Sequence, residues 1–175
     1  MSRQRVVEDG HRRAEANDAR RRVLAGAPVT ERMVELAGVS TAVLESGDGP
    51  PVVLLHGQGG WSGMWLPVVG DLRTTHRVIA ADLPGLGGSE MPDGPPDAAR
   101  VLAWLDALVR QTCPVPPALV GASLGASIAA RFAIAHPDRV SRLVLVDAGS
   151  LGRFRPAPGV VLALLQFLAR PSERT

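Results

Sequence analysis

Residues 118 to 125 read ALVGASLG, in which three apolar residues lead into the pattern Gly121-x-Ser123-x-Gly125. An alanine-rich segment with the composition of a helix follows, up to Ala135. A strand that turns directly into a helix strains the residue at the turn and exposes its side chain. Glycine is needed two positions before and after, because a Cβ there would collide with neighbouring backbone. The pattern therefore predicts that Ser123 is a nucleophile.

The rest of the sequence alternates short apolar runs with helical stretches. Strands are predicted at residues 33–37, 41–45, Pro51–Leu55, Arg77–Ala81, 118–120 and Arg142–Val146, and helices at 97–111 and Leu124–Ala135. The first two strands flank Gly38 and are expected to form a hairpin. Residues 91–96 are rich in proline and glycine and are expected to be a loop. This order predicts an α/β fold, a mostly parallel sheet with helices on both faces.

Composition excludes several classes of protein. The 175 residues, 46% hydrophobic and 21% charged, suit one globular domain. All 19 basic residues are arginine, so a phosphate-loop NTPase motif and a Schiff-base lysine are both absent. A net charge of +2 does not indicate a nucleic-acid partner, and no apolar run is long enough for a membrane span. The single cysteine, Cys113, rules out an internal disulfide framework and favours a cytoplasmic location.

Four motifs together resemble the α/β-hydrolase family, from about residue 34 to the C-terminus. A strand runs into His56-Gly57-Gln58-Gly59-Gly60, which is similar to the family's oxyanion loop. The next strand runs into DLPGLGGS, residues 82–89, which resembles the following turn. Gly121-Ala122-Ser123-Leu124-Gly125 resembles the nucleophile elbow. Residues 137–147, PDRVSRLVLVD, resemble the next turn and strand.

The resemblance implies a serine hydrolase acting on an ester or a related small acyl substrate, without a cofactor. No metal site is indicated either, because the four scattered histidines and the one cysteine show no ligand spacing. Ser123 would be the nucleophile, and the backbone N–H groups of Gln58 and Leu124 would bind the oxyanion. Gly57, Gly121 and Gly125 would allow the close approaches that this site requires. A serine at position 123 argues against relatives with an aspartate nucleophile, such as epoxide hydrolases. Ala122 and Ala126 depart from the family's frequent histidine and glycine at those positions.

The other members of a catalytic triad are harder to find. The family's order is serine, acid, histidine, and the only histidine after Ser123 is His136, at the far end of the helix that Ser123 begins. His56 is expected to brace the oxyanion loop rather than to act as a base. His76 is expected at the opposite end of the sheet. Asp147, which follows the last predicted strand, is the candidate acid, although an aspartate that caps its own loop is the more common reading.

The sequence therefore resembles the N-terminal portion of a hydrolase, a truncated α/β-hydrolase fold lacking the C-terminal strands. We expect a polar, arginine-rich and solvated tail or helix at 1–30, a partial hydrolase core at 31–150, and the start of a lid or cap at 151–175. The apolar strand Arg142–Val146 would then form an open edge, which favours self-association. An alternative function is a catalytically inactive fragment or interaction module that pairs through this edge.

A dinucleotide-binding domain is a further alternative, since a strand leads into Gly57, Gly59 and Gly60. Ser62 stands where the last glycine of that fingerprint belongs, and Asp82 only roughly fits the position of the ribose-binding acid. The serine turn favours the hydrolase over this alternative.

Overall fold

The computed structural model describes residues 15–90 and 97–148. Helix α1 covers residues 15–24 within this part. The other elements are strands β1 (Thr30–Leu36), β2 (Val39–Ser46) and β3 (Pro51–Leu55), helix α2 (Leu66–Leu72), strand β4 (Arg77–Ala81), helix α3 (Ala98–Thr112), strand β5 (Ala118–Ala122), helix α4 (Leu124–Ala135) and strand β6 (Arg142–Val146). Short 3-10 turns lie at Ser62–Trp65 and Pro137–Arg139.

The six described strands form one sheet in the order β1-β2-β4-β3-β5-β6. Strands β4, β3, β5 and β6 run parallel to one another, and β1 and β2 are antiparallel additions at one side. The carboxyl ends of the parallel strands therefore meet at one edge of the sheet. The loops that follow β3, β4, β5 and β6 all leave from this edge, and so do the predicted site residues.

The apolar run of β3 is explained by burial on both faces of the sheet. Successive side chains of a strand point to opposite faces. Val53 and Leu55 pack in a cluster with helices α3 and α4, whereas Val52 and Leu54 pack in a second cluster with α2. A strand covered on both sides has no position at which a polar side chain would be solvated, so its sequence is continuously hydrophobic.

Most predicted elements agree with the structure. The bounds of β3, β4, α4 and β6 are those predicted, and the hairpin turns at Ala37 and Gly38, which both have positive φ. The first two strands are longer than predicted. Exposed residues such as Glu31 pair along the ladder at the start of β1, whereas β2 gains Val39, Ser40 and Ser46, which are buried or partly buried. The predicted loop at 91–96, the lid segment 151–175 and residues 1–14 lie outside the described residues.

The arginine-rich N-terminal segment is in part a helix packed on the sheet. Leu24 contacts the cluster that contains α2, and the side chain of Arg20 is only 11% exposed. The expectation of a solvated segment is therefore wrong for these two residues. The physical reason for Arg20 is a buried carboxylate, described with the site below.

Strand β6 is exposed along its whole length, and its side chains from Leu143 to Val146 are 39–48% accessible. It pairs with β5 on one side. The open apolar edge predicted from the sequence is thus present among the described strands. Among the described helices, none combines the length and the apolar character that crossing a bilayer requires.

Two residues of α4 offer a matched test of this packing. Phe132 is fully buried, whereas Ile134, two positions along the same helix, is 82% exposed. We expect Phe132→Ala to lower the free energy of unfolding by about 3–5 kcal/mol, because it leaves a cavity. Ile134→Ala should change it by about 0.5 kcal/mol or less. Chemical denaturation of the two variants measures both values, and equal losses would contradict the assignment of the buried face.

Candidate active site

Ser123 lies at the junction of β5 and α4 in a strained backbone conformation. Its φ is 49° and its ψ is −109°, a region that residues other than glycine rarely occupy. The Ser123 N–H donates to the Val146 carbonyl at 2.9 Å, which extends the pairing of β5 with β6. The residue is exposed, although Gly121 and Ala122 before it are buried. The turn thus presents a hydroxyl at the carboxyl edge of the sheet.

The glycines around Ser123 allow two close approaches of backbone to backbone. A Cβ on Gly121 would lie 2.3 Å from the carbonyl oxygen of Gly125. A Cβ on Gly125 would lie 2.3 Å from the carbonyl oxygen of Leu55, at the end of β3. Backbone atoms cannot move aside as a flexible side chain can, so alanine at either position would push α4 away from the sheet. The spacing of the two glycines therefore has a steric cause.

The loop after β3 lies directly beside Ser123. A Cβ built on Gly57 would lie 3.3 Å from Ser123 Cβ and 3.9 Å from Ser123 Oγ. The Gly125 N–H donates to the His56 carbonyl at 3.1 Å and ties the first turn of α4 to this loop. Gln58 follows Gly57, and Leu124 follows Ser123 as the first residue of α4. The segments that carry these two backbone N–H groups therefore meet at the serine.

His56 is fully buried and connects two loops through its ring. Its Nε2 accepts a hydrogen bond from the Leu83 N–H at 2.9 Å, and its Nδ1 lies 2.7 Å from the Gly57 carbonyl oxygen. This pattern requires a neutral ring that carries its proton on Nδ1. Burial lowers the pKa of His56 below its usual value of 6.5, against a smaller opposing effect of the bond to Gly57. With both nitrogens engaged, His56 holds the loops and has no nitrogen left for Ser123.

The two other described histidines lie far from Ser123. His76 precedes β4, whereas Ser123 follows β5, so about 17 Å of parallel strand separates them. His136 caps the far end of α4, about 18 Å along the helix, where its ring contacts Phe132. Within residues 15–90 and 97–148, no histidine is placed to take a proton from Ser123. Asp147 comes next after Val146, the partner of Ala122, so it lies at the same edge of the sheet as Ser123.

Asp82, at the end of β4, is a fully buried carboxylate with three donors. Its Oδ1 accepts from the Ser62 N–H at 2.5 Å, and its Oδ2 accepts from the Gly88 N–H and from Arg20 Nη1, both at 2.7 Å. A carboxylate engaged in this way is not free to bind a ribose, which removes the basis for a dinucleotide site. Sequence reasoning missed Arg20, since a pairing across 62 residues leaves no local signal.

A cavity of about 450 Å³ opens beside the serine turn. Leu124, Ser127, Ile128 and Arg131 of α4 form one wall, at helical spacing. The loop after β4 and the first half of α3 form the others through Leu83, Pro84, Leu86, Asp97, Ala98, Val101 and Leu102. The lining is mostly apolar, with charge at Asp97 and Arg131. The space suits a small hydrophobic group.

The engagement of His56 predicts how stability depends on pH. Because the folded state lowers the pKa of His56, the unfolded state binds more protons below about pH 6.5. The contribution of His56 is therefore fully present above pH 6.5 and is lost as the pH falls, at no more than about 1.4 kcal/mol per pH unit. Denaturant unfolding between pH 5 and 8 measures it. His56→Gln should remove the loss of stability at low pH that is due to His56, whereas His76→Gln should retain it. Identical dependence of stability on pH in the wild type and in His56→Gln would contradict the neutral, buried state of His56.

Comparison with known proteins finds a matching family model and several curated relatives. A family model described as alpha/beta hydrolase fold matches residues 50–175. The chain is 33% identical over 142 residues to a pimeloyl-[acyl-carrier protein] methyl ester esterase from Aeromonas hydrophila, covering 78% of this chain and 55% of that protein. It is 40% identical over 132 residues to a 2-hydroxymuconate semialdehyde hydrolase from Pseudomonas putida, covering 71% and 45%.

Comparison with solved structures also finds a match. An epoxide hydrolase from Vigna radiata superposes with a TM-score of 0.67 at 25% identity, covering 75% of this chain and 41% of that one. The chain spans about half the length of the curated relatives it matches. The family model covers well over half of the chain, and its match agrees with the sheet order and with the serine turn described above. The chain belongs to the α/β-hydrolase family.

Proposed function

We propose that the protein is a serine hydrolase in which Ser123 attacks the carbonyl carbon of an ester or a related small acyl substrate. The observation that carries the proposal is the strained, exposed conformation of Ser123 between β5 and α4, at φ 49° and ψ −109°. Strain of this kind persists only where the surrounding structure over-determines it, and it is typical of functional sites. Here the glycine contacts at residues 121 and 125 hold it in place.

The proposed reaction forms a bond from Ser123 Oγ to the carbonyl carbon and moves negative charge onto the carbonyl oxygen. The backbone N–H groups of Gln58 and Leu124 are proposed to donate to this oxyanion. Leu124 begins a helix of 12 residues, whose partial positive charge at the N-terminus favours an anion. The carbon–oxygen bond to the leaving alcohol then breaks, and water releases the acyl group from Ser123.

The serine proton must reach the leaving oxygen, which requires a base. Asp147 is the proposed acid that would orient a histidine, because it lies at the same sheet edge as Ser123. We propose that this histidine comes from outside residues 15–90 and 97–148, since His56, His76 and His136 are all excluded by their positions. Without it, a serine hydroxyl stays protonated near pH 7 and reacts slowly.

The substrate class is supported by the cavity and by the relatives. The apolar cavity next to Leu124 suits an acyl or alkyl group. One relative is named as a pimeloyl-[acyl-carrier protein] methyl ester esterase and another as a 2-hydroxymuconate semialdehyde hydrolase, so an ester is the substrate class printed for one of them. The likeness to an epoxide hydrolase is one of fold, because an aspartate nucleophile is not available at residue 123. A cytoplasmic location stays a prediction from the single cysteine.

A second candidate function is an interaction module that is catalytically inactive and pairs through β6. The exposed apolar side chains of this edge strand favour it, since such edges are templates for pairing with another chain. The two candidates differ in whether Ser123 reacts, so the same experiment separates them.

Replacing the nucleophile tests the proposal. When the proposed base is present, hydrolysis of p-nitrophenyl acetate should fall by at least about a hundredfold in Ser123→Ala, because the acyl-enzyme route is lost. Ser141→Ala, an exposed serine remote from the cavity lining, is the control and should match the wild type. Equal hydrolysis by wild type and Ser123→Ala would contradict the proposal and favour the inactive interaction module.

A further inference from the structure

The carboxylate of Asp82 joins the two loops that border the candidate site. Through Oδ1 it holds the Ser62 N–H, at the end of the loop that starts with Gly57 and Gln58. Through Oδ2 it holds the Gly88 N–H, in the glycine-rich loop after β4. A Cβ on Gly87 would lie 2.3 Å from Oδ2, so this second loop wraps closely around the carboxylate. The position of both loops therefore depends on a charge that is fully buried.

Arg20 is the cation that compensates this charge, and it comes from a helix outside the family-matched region. Residues 50–175 match the family model, whereas Arg20 lies on α1. Its guanidinium makes four contacts. Nε lies 2.5 Å from Glu31 Oε1 and Nη1 lies 2.7 Å from Asp82 Oδ2, while Nη2 lies 3.4 Å from Ser62 Oγ and Cζ lies 4.4 Å from the centre of the Trp61 ring. This planar, forked group thus reaches the acid, the loop end and an aromatic face at once.

We infer that Arg20 is a positioning residue for the candidate active site, and that it acts through Asp82 on the loop that carries Gln58. This inference rests on the proposed function, because it assigns to Arg20 the task of holding the Gln58 N–H where the oxyanion forms. His56 fixes the start of the loop by its bonds to Gly57 and Leu83. Arg20 and Asp82 fix its end at Trp61 and Ser62.

Stabilisation of the oxyanion depends on where the Gln58 N–H lies. A backbone donor stabilises the oxyanion only when it lies within hydrogen-bond distance of the position where charge develops. Removing Arg20 would leave Asp82 buried without its cation, and water or a new partner would have to enter between the two loops. The loop would then lose its fixed end while the sheet and the helices α3 and α4, on the other face, keep their packing.

Hydrogen–deuterium exchange of the folded chain tests the inference without requiring activity. In Arg20→Ala, peptides covering residues 57–62 and 83–89 should exchange at least about tenfold faster than in the wild type. Peptides of α3 should exchange unchanged. Arg22→Ala, an exposed arginine on the same helix, is the matched control and should behave as the wild type. Unchanged exchange of both loops in Arg20→Ala, or an equal rise in α3, would overturn the inference.

Kinetics separate a positioning role from a purely structural one. In Arg20→Ala, kcat for p-nitrophenyl acetate should fall about tenfold to a hundredfold with KM little changed, because the donor is misplaced in the transition state. Arg20→Lys keeps the positive charge but lacks the forked guanidinium, so its kcat should lie between those of the wild type and Arg20→Ala. A kcat equal to that of the wild type in Arg20→Ala would overturn the inference.

If Arg20→Ala does not fold, Arg20→Lys carries the exchange test, and faster exchange confined to the two loops is again the required result. If the wild type shows no hydrolysis that depends on Ser123, the proposed function fails. The exchange of the two loops still decides whether Arg20 holds them.

Discussion

The site depends on how closely the first turn of α4 approaches the end of β3. Gly125 lies so near the Leu55 carbonyl that a methyl group would not fit between them, and its N–H bonds to the His56 carbonyl. This contact holds the helix against the sheet and leaves Ser123 no relaxed conformation. It also brings the loop after β3 against the serine. This one backbone contact thus explains the strained conformation of Ser123, its exposure and the position of the loop beside it.

Polar groups buried at the carboxyl edge of the sheet hold the surrounding loops. His56 and Asp82 end adjacent parallel strands, and their rings and oxygens satisfy backbone N–H groups of the loops that follow. Buried polar groups stabilise a structure only when they are fully satisfied. The neutral ring of His56 and the pairing of Asp82 with Arg20 meet that condition. Both residues therefore support the loops around the candidate site.

The central part of the fold could be predicted from sequence because its signals are local. Strands β3, β4 and β6 are short apolar runs between turn residues, and α4 follows directly from the glycine spacing around Ser123. The start of β1 could not be predicted, since exposed residues there are held by ladder pairing with no hydrophobic pattern. The role of Arg20 could not be predicted either, because its partner lies 62 residues away and its neighbours are other arginines. The sequence located Ser123, Gln58, Leu124 and Asp147 on the elements that meet at one edge, and their chemical roles stay predictions.

The most direct test of the account is the site at which a fluorophosphonate reacts with the 175-residue chain. Trypsin cleaves after arginine, so the peptide between Arg110 and Arg131 contains both Ser123 and Ser127, and fragmentation in a mass spectrometer distinguishes them. We expect an adduct on Ser123 Oγ that is absent from Ser123→Ala. An adduct on another serine in place of Ser123 would contradict this expectation, and so would a folded protein that has its base and forms no adduct on Ser123.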